Sequence, residues 1–316
     1  MQLKKSKTIT TEKIKTKWDK GTVVQCYLML ILPIIGFVVF TTYPILWTFR
    51  FSLYAYTGVP SQTRYIGMEN FIKMFCEDFT YWKTWGNTLL YALCKIPFEI
   101  AVSMVLALIL KNKSIKGSNF FRTMYYLPVV ISSVIIGLIF SNLFSYFGAI
   151  NTLLMRFGLI KENIDWFSTK GSAYAVLVIS GIWNTFGTNV MYIFAALTNV
   201  SEDVYEAADL DGAGRFTKFF RITLPLIAPV FQTILLLSLV GTLSINEFIL
   251  VLTGGGPGGK TFTVMSYLTQ KFLPGFTTDA IPQLGYGCAM SVLTTIIFAV
   301  VAIVYNKFTA KMKELY

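Results

Sequence analysis

The stretch GGGPGGKT, Gly254–Thr261, fits the phosphate-binding pattern G-x-x-x-x-G-K-[ST] at every fixed position. In such a loop the glycines let backbone N–H groups close around phosphates, the lysine meets the outer phosphates, and the Ser or Thr holds Mg²⁺. The pattern demands a buried strand before it, a helix after it and access to nucleotide. FILVLT (248–253) has the composition of such a strand and FTVMSYL (262–268) that of such a helix. The local text does not reject a nucleotide site, so the surrounding chain has to decide.

That chain is 316 residues long, 54% hydrophobic and 14% charged, with a mean hydropathy of +0.60. Soluble proteins carry roughly 25% charged residues, so the composition points to a membrane protein. Histidine is absent, which removes imidazole acid–base catalysis, triads that use it and most zinc sites. Cys26, Cys76, Cys94 and Cys288 show no C-x-x-C spacing and read as ordinary buried thiols, with no disulfide framework or metal site. The net charge of +11 comes from basic residues flanking apolar segments. They read as orientation signals for a bilayer and not as a nucleic-acid surface.

A spanning helix needs about 20 mostly apolar residues. Six stretches qualify: 23–49, 84–110, 123–147, 171–200, 222–246 and 281–306. Only the second contains charged residues, Lys95 and Glu99. The first is long and lacks a small-residue cleavage site, so it reads as an anchor. The expected fold class is therefore all-α, a polytopic membrane protein with six transmembrane helices. A basic arm (1–22) precedes the membrane domain (23–306) and a short tail (307–316) follows it. With six spans both termini share a side, and that side holds 17 of the 27 basic residues while the other holds nine. The bias makes it the cytoplasm.

GGGPGGKT then lies outside, between the fifth and sixth spans, where ATP is scarce. No aspartate follows four apolar residues, so the Mg²⁺ partner of a phosphate loop has no candidate. The stretch reads as a glycine-proline turn.

The cytoplasmic loop SEDVYEAADLDGAGRFTKFFR (201–221) has more structure than a linker. Ser201 caps a helix whose first turn carries Glu202 and Asp203, favourable at the positive end of the helix dipole. VYEAADL continues it to a stop at Asp211-Gly212. Ala207 and Ala208 offer a surface that another protein can approach closely, and Phe216, Phe219 and Phe220 alternate with Arg215, Lys218 and Arg221. The competing reading is an amphipathic helix lying on lipid, against which stand five acidic residues in the loop.

The pattern E-A-A-x-x-x-G-x(9)-I-x-L-P is matched by Glu206, Ala207, Ala208, Gly212, Ile222, Leu224 and Pro225. It resembles the EAA loop of ABC-importer permease subunits, in the EAADLDGAG form of sugar permeases. YIGMENF (65–71), GNTLLYA (86–92), FFRTMYYLPVVIS (120–132), GAINTLL (148–154) and LTGGGPGG (252–259) extend the resemblance over roughly residues 26–312. It implies the type I importer transmembrane fold and a multi-pass subunit of a prokaryotic cytoplasmic membrane. The implied partners are a second, homologous permease, two ATPase subunits and an extracellular binding protein that delivers a carbohydrate. ATP and Mg²⁺ would be used by the ATPases, with no cofactor bound and no catalysis performed by this chain. Glu206, Ala207, Ala208, Asp211, Gly212, Ala213 and Gly214 would form the coupling helix that docks on an ATPase.

Polar groups inside spans are functional candidates by default. Span four carries Trp183, Asn184, Thr185, Thr188 and Asn189, with Asn184 and Thr188 one turn apart. Span five carries Ser238, Gly241, Thr242 and Ser244, with Asn246 and Glu247 near its outer end. A sugar path needs amides, hydroxyls and carboxylates beside an aromatic plate, and Asn184, Thr188, Thr242, Glu247, Trp183 and Ser238 supply these. Hydrogen bonding between helices through the same residues is the alternative. Lys95 and Glu99, four apart, read as a structural pair, with a proton relay or an anionic-solute contact as alternatives. An ion-coupled secondary transporter is the competing class, but no internal repeat supports it. An intramembrane enzyme has no catalytic set here.

Overall fold

Apolar runs of this length leave backbone polar groups no partners but their own, so they are helical. A computed structural model describes residues 20–112, 116–273 and 281–313. The basic arm up to residue 19 and the last three residues of the tail lie outside the described residues. The chain divides into two units, residues 1–50 and 51–316.

In the first unit, α1 (Lys20–Phe37) runs through a π turn (Val38–Thr42) into α2 (Tyr43–Phe51). Together Val23–Phe51 form a helix long and apolar enough to cross a membrane, with none of its apolar window buried. The π turn ends just before Pro44, whose missing N–H leaves a carbonyl one turn back unpaired, and the wider turn absorbs the fault. The same device recurs at Phe219–Thr223, two residues before Pro225.

The second unit starts with a short antiparallel hairpin, β1 (Tyr54–Ala55) and β2 (Arg64–Tyr65), followed by α3 (Glu69–Cys76). Four long helices follow in order with shorter ones between them, among these α7 (Ala149–Arg156). The four are α4 (Phe79–Lys111), α8 (Lys170–Thr198), α11 (Leu224–Leu243) and α14 (Leu284–Lys313). The sixth helix begins three residues later than the sequence suggests and continues through most of the expected tail.

The third expected span, 123–147, is not one helix. α5 (Ser118–Val130) and α6 (Ser133–Leu143) meet at 95°. Ile131 at the junction is extended (φ −80°, ψ 137°), and Pro128 weakens the last turn of α5 by removing a donor. The chain therefore leaves the helix where Ser132 and Ser133 can start another. α6 then packs against α12 (Glu247–Leu252). The fifth expected span is continuous as far as Leu243, where α11 stops; beyond it a short helix, α12, starts after Asn246, whose backbone (φ −137°, ψ −81°) is neither helix nor strand.

Three apolar clusters hold the second unit. Ile100, Met104 and Ala107 of α4 meet Val190, Ile193 and Leu197 of α8 and Ile227 and Ile234 of α11. Tyr91, Ile136, Leu177, Phe248 and Ile249 join α4, α6, α8 and α12. Met74, Tyr81, Val264, Tyr286 and Met290 join α3 and α4 to α13 (Val264–Phe272) and α14. Helix association in lipid relies on close packing, and small residues permit it. Gly187 of α8 shows this: a Cβ there would lie 2.0 Å from the Tyr125 carbonyl oxygen of α5.

The glycine stretch is a turn, and FILVLT before it is helical rather than strand. Its N–H groups bond inward, Gly256 to Thr253 O (2.8 Å) and Lys260 to Pro257 O (3.1 Å). Thr261, the residue a phosphate loop would offer to Mg²⁺, is buried and donates to Gly256 O at 2.7 Å. Asn87 Nδ2 donates to Phe262 O (3.2 Å) and Thr88 Oγ1 accepts from the Val264 N–H (2.9 Å), tying the turn to α4. The thiols correct one expectation. Only Cys288 is buried, Cys94 is half-buried, and Cys26 and Cys76 are exposed on the chain. Apolar runs in a membrane protein also face outward, so an apolar neighbourhood in sequence does not imply burial.

Candidate functional site

A cavity of about 520 Å³ lies between α4, α8 and α11, with Ser133 at the start of α6 and Glu247 and Phe248 at the start of α12 in its wall. Its wall includes Asn184, Thr188, Ser238, Thr242 and Glu247, five of the six residues expected on the solute path. Trp183 is not among them. It sits about one-third of a helical turn away from Asn184, with its ring 5.6 Å from Phe140 of α6. Tyr192 and Phe248 are the aromatic residues of the wall instead. Tyr192 lies eight residues beyond Asn184, two turns along α8, so helical periodicity does signal it once the face is known.

Lys95 and Glu99 also belong to this wall, and the structural pairing expected of them is present. Lys95 Nζ lies 2.9 Å from Glu99 Oε2 and donates to Thr242 Oγ1 at 3.3 Å. Glu99 Oε1 accepts from Thr185 Oγ1 (2.6 Å) and Asn189 Nδ2 (2.9 Å), and Asn189 Nδ2 also donates to Ser238 Oγ at 3.1 Å. Both charged residues are at most 3% exposed. Burial of an ion pair is tolerable only when its remaining hydrogen-bonding positions are filled, and here α8 and α11 fill them. Thr185 and Asn189, named in span four only as polar residues, lie one turn apart beside Glu99. That they serve Glu99, however, depends on how α4 and α8 are packed. At the outer end, Asn246 Nδ2 donates to Thr269 Oγ1 (2.6 Å), fixing the break between α11 and α12 to α13.

The loop 201–221 forms the capped helix the sequence suggests. In α9 (Glu202–Leu210), Ser201 Oγ accepts from the Asp203 N–H (3.3 Å). Gly212 ends the helix at φ +74°, and the Ala213 N–H reaches back to Ala208 O at 2.9 Å. This is the left-handed stop for which glycine is suited. The chain then enters α10 (Arg215–Lys218), which continues through the π turn into α11 as one helix from Arg215 to Leu243. The second arm of the loop is thus the end of a span.

The seven coupling candidates divide by exposure. Glu206, Ala207, Asp211, Gly212 and Gly214 are exposed, Ala213 is half-buried, and Ala208 is buried. The two alanines have different tasks: Ala207 faces outward, and Ala208 seats α9 on its own chain. Lys218 pairs with Asp209, Tyr205 OH lies 3.1 Å from Thr223 Oγ1, and Lys111 Nζ stands 4.0 Å from the Tyr205 ring centroid. These contacts brace α9 against the ends of α4 and α11. The outer surface then presents Leu210 (90% exposed) and Phe216 (82% exposed), large apolar side chains beside exposed acids. A firmly held helix with such a face is suited to receiving another protein.

Comparison with known proteins agrees with this geometry. Residues 99–313 match the family described as binding-protein-dependent transport system inner membrane component. The lactose transport system permease protein LacF of Rhizobium radiobacter is 32% identical, over 80% of this chain and 86% of that one. The sulfoquinovosyl glycerol transport system permease protein SmoG of Agrobacterium fabrum is 33% identical over 92% of both chains. Among solved structures, a bacterial ABC transporter involved in the import of the acidic polysaccharide alginate superposes with a TM-score of 0.79 at 23% identity. The match covers 91% of this chain and 96% of that one, and it shows the type I importer transmembrane fold. With the family match spanning most of the chain, this multi-pass membrane protein belongs to the binding-protein-dependent transport system inner membrane components, a family of transporter permease subunits.

Proposed function

We propose that this chain is the permease subunit of an ATP-driven importer and forms half of the membrane path for a carbohydrate delivered by an extracellular binding protein. The observation that carries the reading is the braced, outward-facing α9 with Leu210 and Phe216 exposed beside it. In this reading α9 is a rigid peg in a cleft of a cytoplasmic ATPase, and closure of the ATPases on ATP moves α11 through its continuous connection from Arg215. Coupling of this kind needs an element that stays folded under load. Both termini are cytoplasmic by the basic-residue bias. A second, homologous permease supplies the other half of the path.

The carbohydrate assignment is supported by the relatives' names, which include lactose and trehalose/maltose systems, and by the chemistry of the cavity. Amides, hydroxyls and a carboxylate beside Tyr192 and Phe248 suit a polyhydroxylated solute with one apolar face. Purification of the tagged chain in mild detergent from its native membrane tests the class. Recovery of an ATPase and a second permease is expected. The buried Lys95–Glu99 pair is the observation favouring ion-coupled transport, and uptake into liposomes by the chain alone, without ATP, would establish that class instead.

A further inference from the structure

Hydroxyls on the helices of this chain usually donate to the carbonyl four residues back. Thr88 does so to Thr84 O (2.7 Å), Ser180 to Val176 O (2.6 Å), Thr198 to Phe194 O (2.8 Å) and Thr233 to Pro229 O (3.0 Å). Ser238 and Thr242 do not. Among the described residues each only accepts: Ser238 Oγ from Asn189 Nδ2, and Thr242 Oγ1 from Lys95 Nζ. Their own protons are unassigned, and both residues line the cavity.

The cause traces to the ion pair. Lys95 is an ammonium, which only donates, so Thr242 must accept from it. Glu99 is a carboxylate, which only accepts, so it takes one Asn189 amide proton and thereby orients that amide, whose second proton falls on Ser238. Two residues of α4 thus dictate the polarity of two hydroxyls on α11. They also cancel each other's charge, which leaves the exposed Glu247 carboxylate as the uncompensated charge among the described wall residues.

We propose that the Lys95–Glu99 pair determines the solute specificity of the cavity, orienting Ser238 and Thr242 as hydrogen-bond donors toward an uncharged polyol and keeping the wall unfavourable to acidic solutes. The proposal rests on the carbohydrate reading above and names the class of carbohydrate as neutral. The pair acts through Ser238 and Thr242, as positioning residues.

The test uses the full chain in lipid nanodiscs with the subunits that co-purify. Its native cysteines are replaced by alanine, and a reporter is placed by Leu237→Cys, on the cavity wall. Labelling rates are measured with a cationic and an anionic methanethiosulfonate reagent. Protection is then measured with lactose, maltose and arabinotriose against digalacturonate. The parent is expected to favour the cationic reagent and to be protected by a neutral sugar but not by digalacturonate. Glu99→Gln, which frees the Lys95 charge, should shift the reagent ratio toward the anion by about tenfold and gain protection by digalacturonate. The double variant Lys95→Met, Glu99→Met keeps the net charge and the packing volume. Its reagent ratio should stay at the parental value while neutral-sugar protection weakens about tenfold, an interaction loss of the size of one hydrogen bond.

An unchanged reagent ratio in Glu99→Gln overturns the proposal, because the charges then do not govern the cavity. Full neutral-sugar protection in the double variant overturns the positioning role. A shifted ratio with no protection by any sugar in the parent upholds the charge control and overturns the carbohydrate reading separately.

Discussion

At the residue scale, the most consequential side chains are Lys95 and Glu99. A span with two opposite charges one turn apart suggests pairing, and the pair forms at 2.9 Å. What spacing does not reveal is the set of groups that complete its solvation, since Thr185, Asn189 and Thr242 come from two other helices. Removing one partner leaves the other charge buried and alone, which costs ~3–5 kcal/mol, whereas replacing both by apolar residues is far less harmful. Glu99→Ala should therefore lower the melting temperature of the detergent-solubilised protein markedly, and Lys95→Met with Glu99→Met should recover most of the loss. Equal melting of the two variants would mean that the pair is not a buried, mutually solvated unit. Gly187 makes a second residue-scale prediction. With a Cβ 2.0 Å from the Tyr125 carbonyl, Gly187→Val forces α5 from α8, and thermal unfolding should begin at a lower temperature than in the unsubstituted protein.

At the element scale, α9 shows how a loop becomes a device. Ser201, the acidic first turn and the Asp211-Gly212 stop are all legible as sequence, because capping is local chemistry. The division of labour between Ala207 and Ala208 is not local, since it depends on which face of α9 meets the ends of the spans. Gly212→Pro forces φ from +74° to about −65° and removes the N–H bonded to Asp209 O. Under the coupling role proposed above, the protein should remain in the membrane and lose uptake together with the ATPase. Ala207→Trp should have the same functional effect with α9 intact, while Ala208→Trp should unseat α9 itself. Limited proteolysis within 201–221 separates them: cleavage should rise for Ala208→Trp and stay low for Ala207→Trp. Normal uptake by both Gly212→Pro and Ala207→Trp would sink the coupling assignment.

At the scale of the whole molecule, the cavity lies beside the bend of the third apolar stretch and the short gap between α11 and α12. Alanine at Asn184, Thr188, Thr242 and Glu247 should weaken transport with the assembled complex unchanged in amount. Trp183→Ala should leave solute affinity near its original value, since its ring faces Phe140 and not the cavity. Loss of affinity in Trp183→Ala alone would show that another wall carries the solute. Hydropathy and the capped loop point by themselves to an all-helical membrane protein, to the approximate places of its spans and to the capped helix at Glu202–Leu210, because each depends on residues near one another in the chain. Sequence also reads GGGPGGKT as a turn, and its N–H groups bond inward as a turn's do. Only tertiary structure decides that the third stretch bends by 95° at Ile131, that Trp183 turns to α6, and that α4 contributes an ion pair to the wall between α8 and α11. Those outcomes are set by which helix faces meet, and contacts between residues up to 147 positions apart leave no periodic mark on the segments that make them.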